Sequence, residues 1–369
     1  MDTLILLGSF FVLMMIGVPI AYSLGLAALA GALWIDLPFD AVMIQVASGV
    51  NKFSLLAIPF FVLAGAIMAE GGMARRLVAF AGVLVGFIRG GLSLVNILAS
   101  TFFGAISGSS VADTASIGSV LIPEMEKKGY PRPFATAVTV SGSVQAILIP
   151  PSHNAVLYSL AAGGTVSIAA LFMAGVLPGL LLGLTLAGLC LFTARREGYP
   201  KGEVIPMKQA LKICAEAMWG LMTMVIILGG ILSGVFTANE SASIAVVWAF
   251  FVTMFIYRDY KWRDLPKLVH RTVKTVTVVL ILTPILLPVV KMLGVDPVHF
   301  GMIMMVNLGI GLITPPVGTV LFTGAAVAKL PLGIVTKAMV PFFTALFVVL
   351  LMITYIPAIS LWLPRAMGL

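Results

Sequence analysis

Apolar residues run along this chain in long blocks separated by short polar turns, from one end to the other. A helix needs roughly 17–25 mostly apolar residues to cross a bilayer. The blocks predict spans near Leu4–Val18, Ile20–Trp34, Ser54–Ala69, Pro133–Ala162, Ile168–Thr193, Glu216–Phe236, Ser241–Tyr257, Val273–Val290, Val298–Ala328 and Ala338–Ile359. The first lacks a basic segment before it and a clear cleavage site after it, so it reads as a retained helix and not as a signal peptide. The expected fold is all-α and polytopic, with a single membrane domain.

Three stretches are interrupted where a span should be continuous. Leu92–Ile106 and Val111–Ile122 are each too short to cross, and Ser107-Gly108-Ser109-Ser110 lies between them. This predicts a re-entrant helical hairpin, whose tip must sit in protein or beside water because unpaired backbone groups are costly in lipid. Pro133–Ala162 is interrupted by Ile149-Pro150-Pro151-Ser152, and Val298–Ala328 by Thr314-Pro315-Pro316-Val317-Gly318-Thr319. A Pro-Pro pair removes two backbone donors and clashes with the preceding turn. Each span is therefore expected to be two half-helices joined by unwound backbone. Ligand-free kinks are common, but two breaks in opposite orientation plus a hairpin tip point to a transporter binding site.

Composition narrows the class. The chain is 60% hydrophobic and 10% charged with a mean hydropathy of +1.14, a balance that excludes a water-soluble domain of this size. The net charge of +8 does not indicate nucleic acid, because the basic residues sit in short loops between apolar blocks. If the N-terminus is periplasmic and the hairpin returns to the side it entered from, nineteen of the 22 Lys and Arg residues fall on the cytoplasmic side. Only Lys52, Lys291 and Arg365 fall outside. A bacterial inner membrane with both termini periplasmic is the expected setting. Cys190 and Cys214 have no CxxC spacing and read as packing residues, and no His/Asp/Glu cluster has metal-ligand spacing. No cofactor is expected.

Helix N-termini offer an anion free N–H donors and about half a positive charge each. Here they would begin at Ser109 and Ser110 and after Pro151 and Pro316. Ser152, Gly318 and Thr319 lie at the same breaks, and Gln145 and Asn154 flank the first, as groups for substrate oxygens. The preceding half-helices end in unpaired carbonyls around Ser107, Gly108, Ile149, Pro150, Thr314 and Pro315, which with the Ser110 hydroxyl are candidate Na+ ligands. Asp113 stays open between first-turn capping and direct ion or proton handling. Thr237-Ala238-Asn239-Glu240 reads as a capping box, and His153 and Asn307 are weaker substrate candidates.

Phe103 to Ala115, the Ile149–Ser152 break, Val235-Phe236-Thr237-Ala238-Asn239-Glu240-Ser241-Ala242 and Asn307 to Gly318 together resemble the large M subunit of TRAP transporters, over nearly the whole chain. The resemblance implies an inverted-repeat elevator-type carrier driven by a Na+ gradient, importing small carboxylates such as C4-dicarboxylates or sugar acids. It implies a small membrane subunit and a periplasmic solute-binding protein as partners. It divides the chain into scaffold helices at 1–90, a first transport repeat at 91–165, scaffold and arm helices at 166–272, a second repeat at 273–328 and a terminal helix at 329–369. The second repeat departs from the family. The hairpin that should precede it is reduced to a remnant arm in Ile281–Pro288, and about 55 residues, or two membrane passes, are missing. A proton-coupled carrier without a binding protein, a non-transporting membrane subunit and an intramembrane enzyme using Asp113 or His153 are the competing readings.

Overall fold

The computed structural model describes residues 2–16, 20–38, 40–42, 44, 57–70, 72–162, 166–202, 204–259, 266, 296–315 and 318–369. The predicted span Val273–Val290, Pro316 and the start of Ser54–Ala69 lie outside them.

Helices α1 (Asp2–Met15) and α2 (Ile20–Trp34) pack on each other. Next come α3 (Ala57–Glu70) and α4 (Met73–Val85), then the hairpin arms α5 (Gly91–Ser107) and α6 (Ser110–Lys127). The first broken span is α7 (Arg132–Gly142), α8 (Gln145–Leu148) and α9 (His153–Ala161). Three long helices follow: α10 (Ile168–Arg196), α11 (Met207–Leu232) and α12 (Ala238–Phe251), the last continued by a π-helical turn, Val252–Tyr257. The second broken span is α13 (Pro297–Ile313) and α14 (Thr319–Ala328), and α15 (Leu332–Tyr355) and α16 (Ala358–Ala366) end the chain. No strand occurs among the described residues beyond one isolated bridge between Arg89 and Lys201.

Four helices among the described residues are long and apolar enough to cross a bilayer: Ile168–Arg196, Met207–Leu232, Ala238–Tyr257 and Leu332–Tyr355. Arg132–Leu148 and His153–Ser159 reach that length and apolarity only when taken together, bent by 44° at the break. Two corrections to the expected boundaries have local causes. The first broken span is in three pieces, because the chain turns at Ser143 and Val144 as well as at the Pro-Pro pair. The hydroxyls of Ser141 and Ser143 bond back to Ala137 and Val140 carbonyls there, competing with the helix ladder. Helix α4 was not expected at all. It is too short to span, but Met73, Ala74, Leu77 and Ala81 recur at helical spacing and are buried, so it is amphipathic.

Contacts sort the helix ends into two groups. Arg76 pairs with Asp259 at 2.5 Å and Gly90 N–H donates to the Pro200 carbonyl, joining ends that the charge pattern assigns to the basic side. At the opposite end the Tyr158 hydroxyl donates to the Pro297 carbonyl, and Arg365 lies 3.9 Å from Asp296. The hairpin therefore enters from the basic end and returns to it, and the two broken spans run antiparallel. The core between them is tightly filled by Phe103, Phe172, Phe342 and the methionines Met68, Met73, Met302 and Met305.

Candidate functional site

The hairpin tip is built by one residue in the left-handed region. Gly108 has φ 59° and closes α5 by donating its N–H to the Gly104 carbonyl at 2.7 Å. A side chain at Gly108 would press on His153 Nδ1 at 2.8 Å and the Pro151 carbonyl at 3.4 Å, so the tip rests directly on the first break. From the other side Gly65 of α3 approaches so closely that a Cβ there would lie 2.7 Å from the Ser107 Cα. Ser109 is extended and caps α6, accepting from the Ala112 N–H at 3.3 Å. The cap thus falls one residue before Ser110, and Asp113 is free of the capping role.

Both carboxylate oxygens of Asp113 are buried with no hydrogen-bond partner among the described residues, as are Ser100 Oγ, Ser110 Oγ and Thr114 Oγ1. Asp113 itself is fully buried, facing Ser100 of α5 rather than solvent. Such a group is costly unless it pairs with a cation or holds a proton. The hairpin arms are held in register with the broken span by two polar contacts: Asn96 Nδ2 donates to Thr139 Oγ1 at 2.7 Å, and the Thr101 hydroxyl lies 2.7 Å from Gln145 Oε1. Gln145 Oε1 is therefore engaged by α5, its Nε2 is buried without a partner among the described residues, and the side chain does not border the cavity described below.

At the first break the Ser152 hydroxyl donates to the Ile147 carbonyl at 2.5 Å, and Ile149 leaves the helical region at ψ 124°. The Pro150-Pro151 bond is cis. A cavity of about 950 Å³ opens where tip and break meet, bordered by Ser107, Ser109, Ser110, Ile147, His153 and Asn154, with Leu312 of α13 closing it from the second broken span. The second break is adjacent but different. Gly318 N–H donates to the Thr314 carbonyl at 2.9 Å and Thr314 Oγ1 donates to the Ile310 carbonyl at 2.6 Å, while Pro315 and Thr319 are exposed and Asn307 faces away from the cavity. The structure thus gathers Ser107, Gly108, Ser109, Ser110, Ile149, Pro150, Pro151, Ser152 and Asn154 at tip and break, places Asp113 one turn further along α6 against Ser100, and leaves Thr314, Pro315, Gly318 and Thr319 without a second hairpin tip against them among the described residues. Sequence reading passed over Gly65, Asn96, Ser100, Thr101 and Thr114. Each is an ordinary small or polar residue on an apolar helix, and only the small-residue run Ala64-Gly65-Ala66 hinted at close approach.

Comparison with known proteins places this arrangement. The chain is 41% identical to the uncharacterized protein YgiK of Salmonella typhimurium, covering 98% of this chain and 97% of that one. It is 35% identical to the C4-dicarboxylate TRAP transporter large permease protein DctM of Rhodobacter capsulatus over the full length of both. Among solved structures, the YdaH transporter of Alcanivorax borkumensis matches its fold with a TM-score of 0.54, at 13% identity over 90% of each chain. Residues 7–282 and 272–359 match the family described as "Tripartite ATP-independent periplasmic transporter, DctM component". An all-α, polytopic membrane protein with a hairpin tip resting on a broken span, this chain belongs to the DctM family of TRAP large permeases, which are transporters and not enzymes.

Proposed function

We propose that the chain is the translocating subunit of an importer for small carboxylates, working in the inner membrane with both termini periplasmic, a Na+ gradient as drive and an elevator movement of the hairpin and broken spans. The observation that carries the reading is the meeting of the Ser107–Ser110 tip with the Pro150–Ser152 break at a largely apolar cavity into which the tip serines, His153 and Asn154 bring the polar groups. Helix N-termini at Ser110 and after Pro151 supply donors for a carboxylate. Tip and break carbonyls of Ser107, Gly108, Ile149 and Pro150, with Ser110 and Asp113, supply hard oxygen ligands for Na+. The second cation set, Thr314 and Pro315, has only half its surroundings. The tripartite description of the family supports a small membrane subunit and a periplasmic binding protein as partners. Relatives named for 2,3-diketo-L-gulonate and for sialic acid, at 34% and 32% identity, support a carboxylate substrate without choosing one.

The chain as it stands transports poorly, because the outer hairpin of the second repeat is missing. Two features support this: the family match falls into two pieces, 7–282 and 272–359, and the alignment to YgiK runs over 423 positions although the chain has 369 residues. The test is Na+-driven uptake of labelled succinate or a sugar acid into proteoliposomes holding the chain, a small membrane subunit and a binding protein. Inserting the corresponding segment of YgiK raises uptake at least about tenfold, the scale of losing one of two coupled ion sites at roughly 1.4 kcal/mol. Normal uptake by the unaltered chain sinks the deficiency; no uptake of either acid after the insertion sinks the carrier.

A further inference from the structure

The cavity does not end at the hairpin tip. It continues along one face of α6, whose open positions Val111, Ala115 and Ser119, and Ala112, Ser116 and Val120, recur every four residues while Asp113, Thr114, Ile117 and Gly118 are buried on the other face. Ser119 lies about two and a half turns from the tip, and the far wall there is the α3–α4 turn with Gly72, Ala74 and Arg75. The path thus leads from the tip to the basic end of the molecule.

Its lining carries one charge, and the acids nearby lie behind the α3–α4 turn. Among the described residues that line it there is no Asp or Glu, and Arg75 is its one permanently charged side chain. The neighbouring Arg76 is committed: it pairs with Asp259 at 2.5 Å, donates to the Gly72 carbonyl at 3.2 Å and stacks over the Tyr257 ring at 3.8 Å. Arg75 is exposed and makes no hydrogen bond or ion pair with any described residue. Glu216 and Asp259 share a second cavity, of about 290 Å³, with Arg75, yet neither pairs with it. At the other end Ser110, only 3% exposed, holds a hydroxyl with no partner.

We propose that Arg75 is the electrostatic guide of this path, a free guanidinium at its basic-side mouth that concentrates small carboxylates between the hairpin tip and the aqueous face. The inference rests on the carrier reading above and adds to it a residue outside the hairpin and the breaks. An unpaired charge at the rim of a low-dielectric cleft raises the local concentration of counter-ions and their rate of arrival, over a range of about 8 Å at physiological salt. Its neighbour cannot serve, since Asp259 neutralises it.

The test needs no transport. With Cys190 and Cys214 replaced by Ala, single cysteines are placed at Ser119→Cys near the mouth and Val111→Cys near the tip, in chains reconstituted in nanodiscs. Their modification rates are compared for the anionic methanethiosulfonate ethylsulfonate and the cationic ethyltrimethylammonium analogue. Arg75→Gln is expected to lower the anion-to-cation rate ratio at Ser119→Cys by about 3–10-fold, less in high salt. Arg75→Lys keeps the ratio and Arg75→Glu inverts it, the latter serving if the Gln variant does not purify. A ratio unmoved by Arg75→Gln and Arg75→Glu while both cysteines remain reachable overturns the role of Arg75 and leaves the carrier standing. A tip cysteine that neither reagent reaches overturns both.

Discussion

The two Pro-Pro breaks share their chemistry and differ in their surroundings. At the first, the Ser152 hydroxyl closes on the Ile147 carbonyl, the tip glycine Gly108 lies against Pro151 and His153, and the serines of the tip are mostly buried. At the second, the Thr314 hydroxyl makes only an in-helix bond, Pro315 and Thr319 are exposed, and the half-helix that follows packs on the side of hairpin arm α6, with no tip against the break among the described residues. A pair of prolines suffices to unwind a helix. A site needs a second backbone brought against the unwound one, so that orphaned carbonyls and N–H groups face a common space.

The largest expected effect is steric and separates the two breaks. Gly65→Val places a methyl against the Ser107 backbone and costs about 1–3 kcal/mol or more of stability, whereas Gly311→Val, with nothing within 4 Å of its Cβ, costs less than about 0.5 kcal/mol. Thermal unfolding in detergent, run on both, decides whether the backbone approach at the hairpin tip carries more of the stability than the open flank of α13. Next comes Asp113. If the tip site binds Na+, saturating Na+ stabilises the chain by about 1–3 kcal/mol; Asp113→Asn abolishes that shift while leaving the Na+-free protein no less stable, since a buried carboxylate is removed. An unchanged Na+ response in the Asn variant would take the ion away from this hairpin. Ser152→Ala, which frees the buried Ile147 carbonyl, is expected to cost about 1 kcal/mol, against a few tenths for Thr314→Val at the other break, where Thr314 is only half-buried and its N–H still bonds the Gly311 carbonyl. Equal costs would erase the distinction between them.

The smallest effect serves as a control away from both sites. The Glu240 carboxylate accepts from the Thr237 N–H and hydroxyl, at 2.8 and 2.9 Å, and closes the capping box. Amide exchange at residues 237–241 is expected to quicken in Glu240→Ala, which removes the acceptor of both bonds, with the breaks unaffected.

Much of this was legible in the residues alone. The hairpin, both breaks, the Thr237–Glu240 capping box and the grouping of basic ends follow from Gly, Pro, Ser and charge placement, each of which acts within a few residues of itself. Helix α4 was legible in principle, since Met73, Ala74, Leu77 and Ala81 keep helical spacing, but a search for span-length blocks passes over a short amphipathic helix. The Thr101–Gln145 contact, the shift of the cap to Ser109 and the burial of Asp113 away from the cavity left no such trace, because each depends on which neighbour a side chain meets.

The sequence by itself determined that the chain lives in lipid, which of its loops gather the basic residues, and where its backbone must stop being helical. These are solvation and steric constraints of single segments, and no partner can relieve them. Only the tertiary structure decided that one break would be joined by a hairpin tip and that Arg75, not Arg76, would be left free at the cavity mouth. Those outcomes turn on contacts between residues distant in sequence, such as Gly65 with Ser107 and Arg76 with Asp259, which no local pattern records.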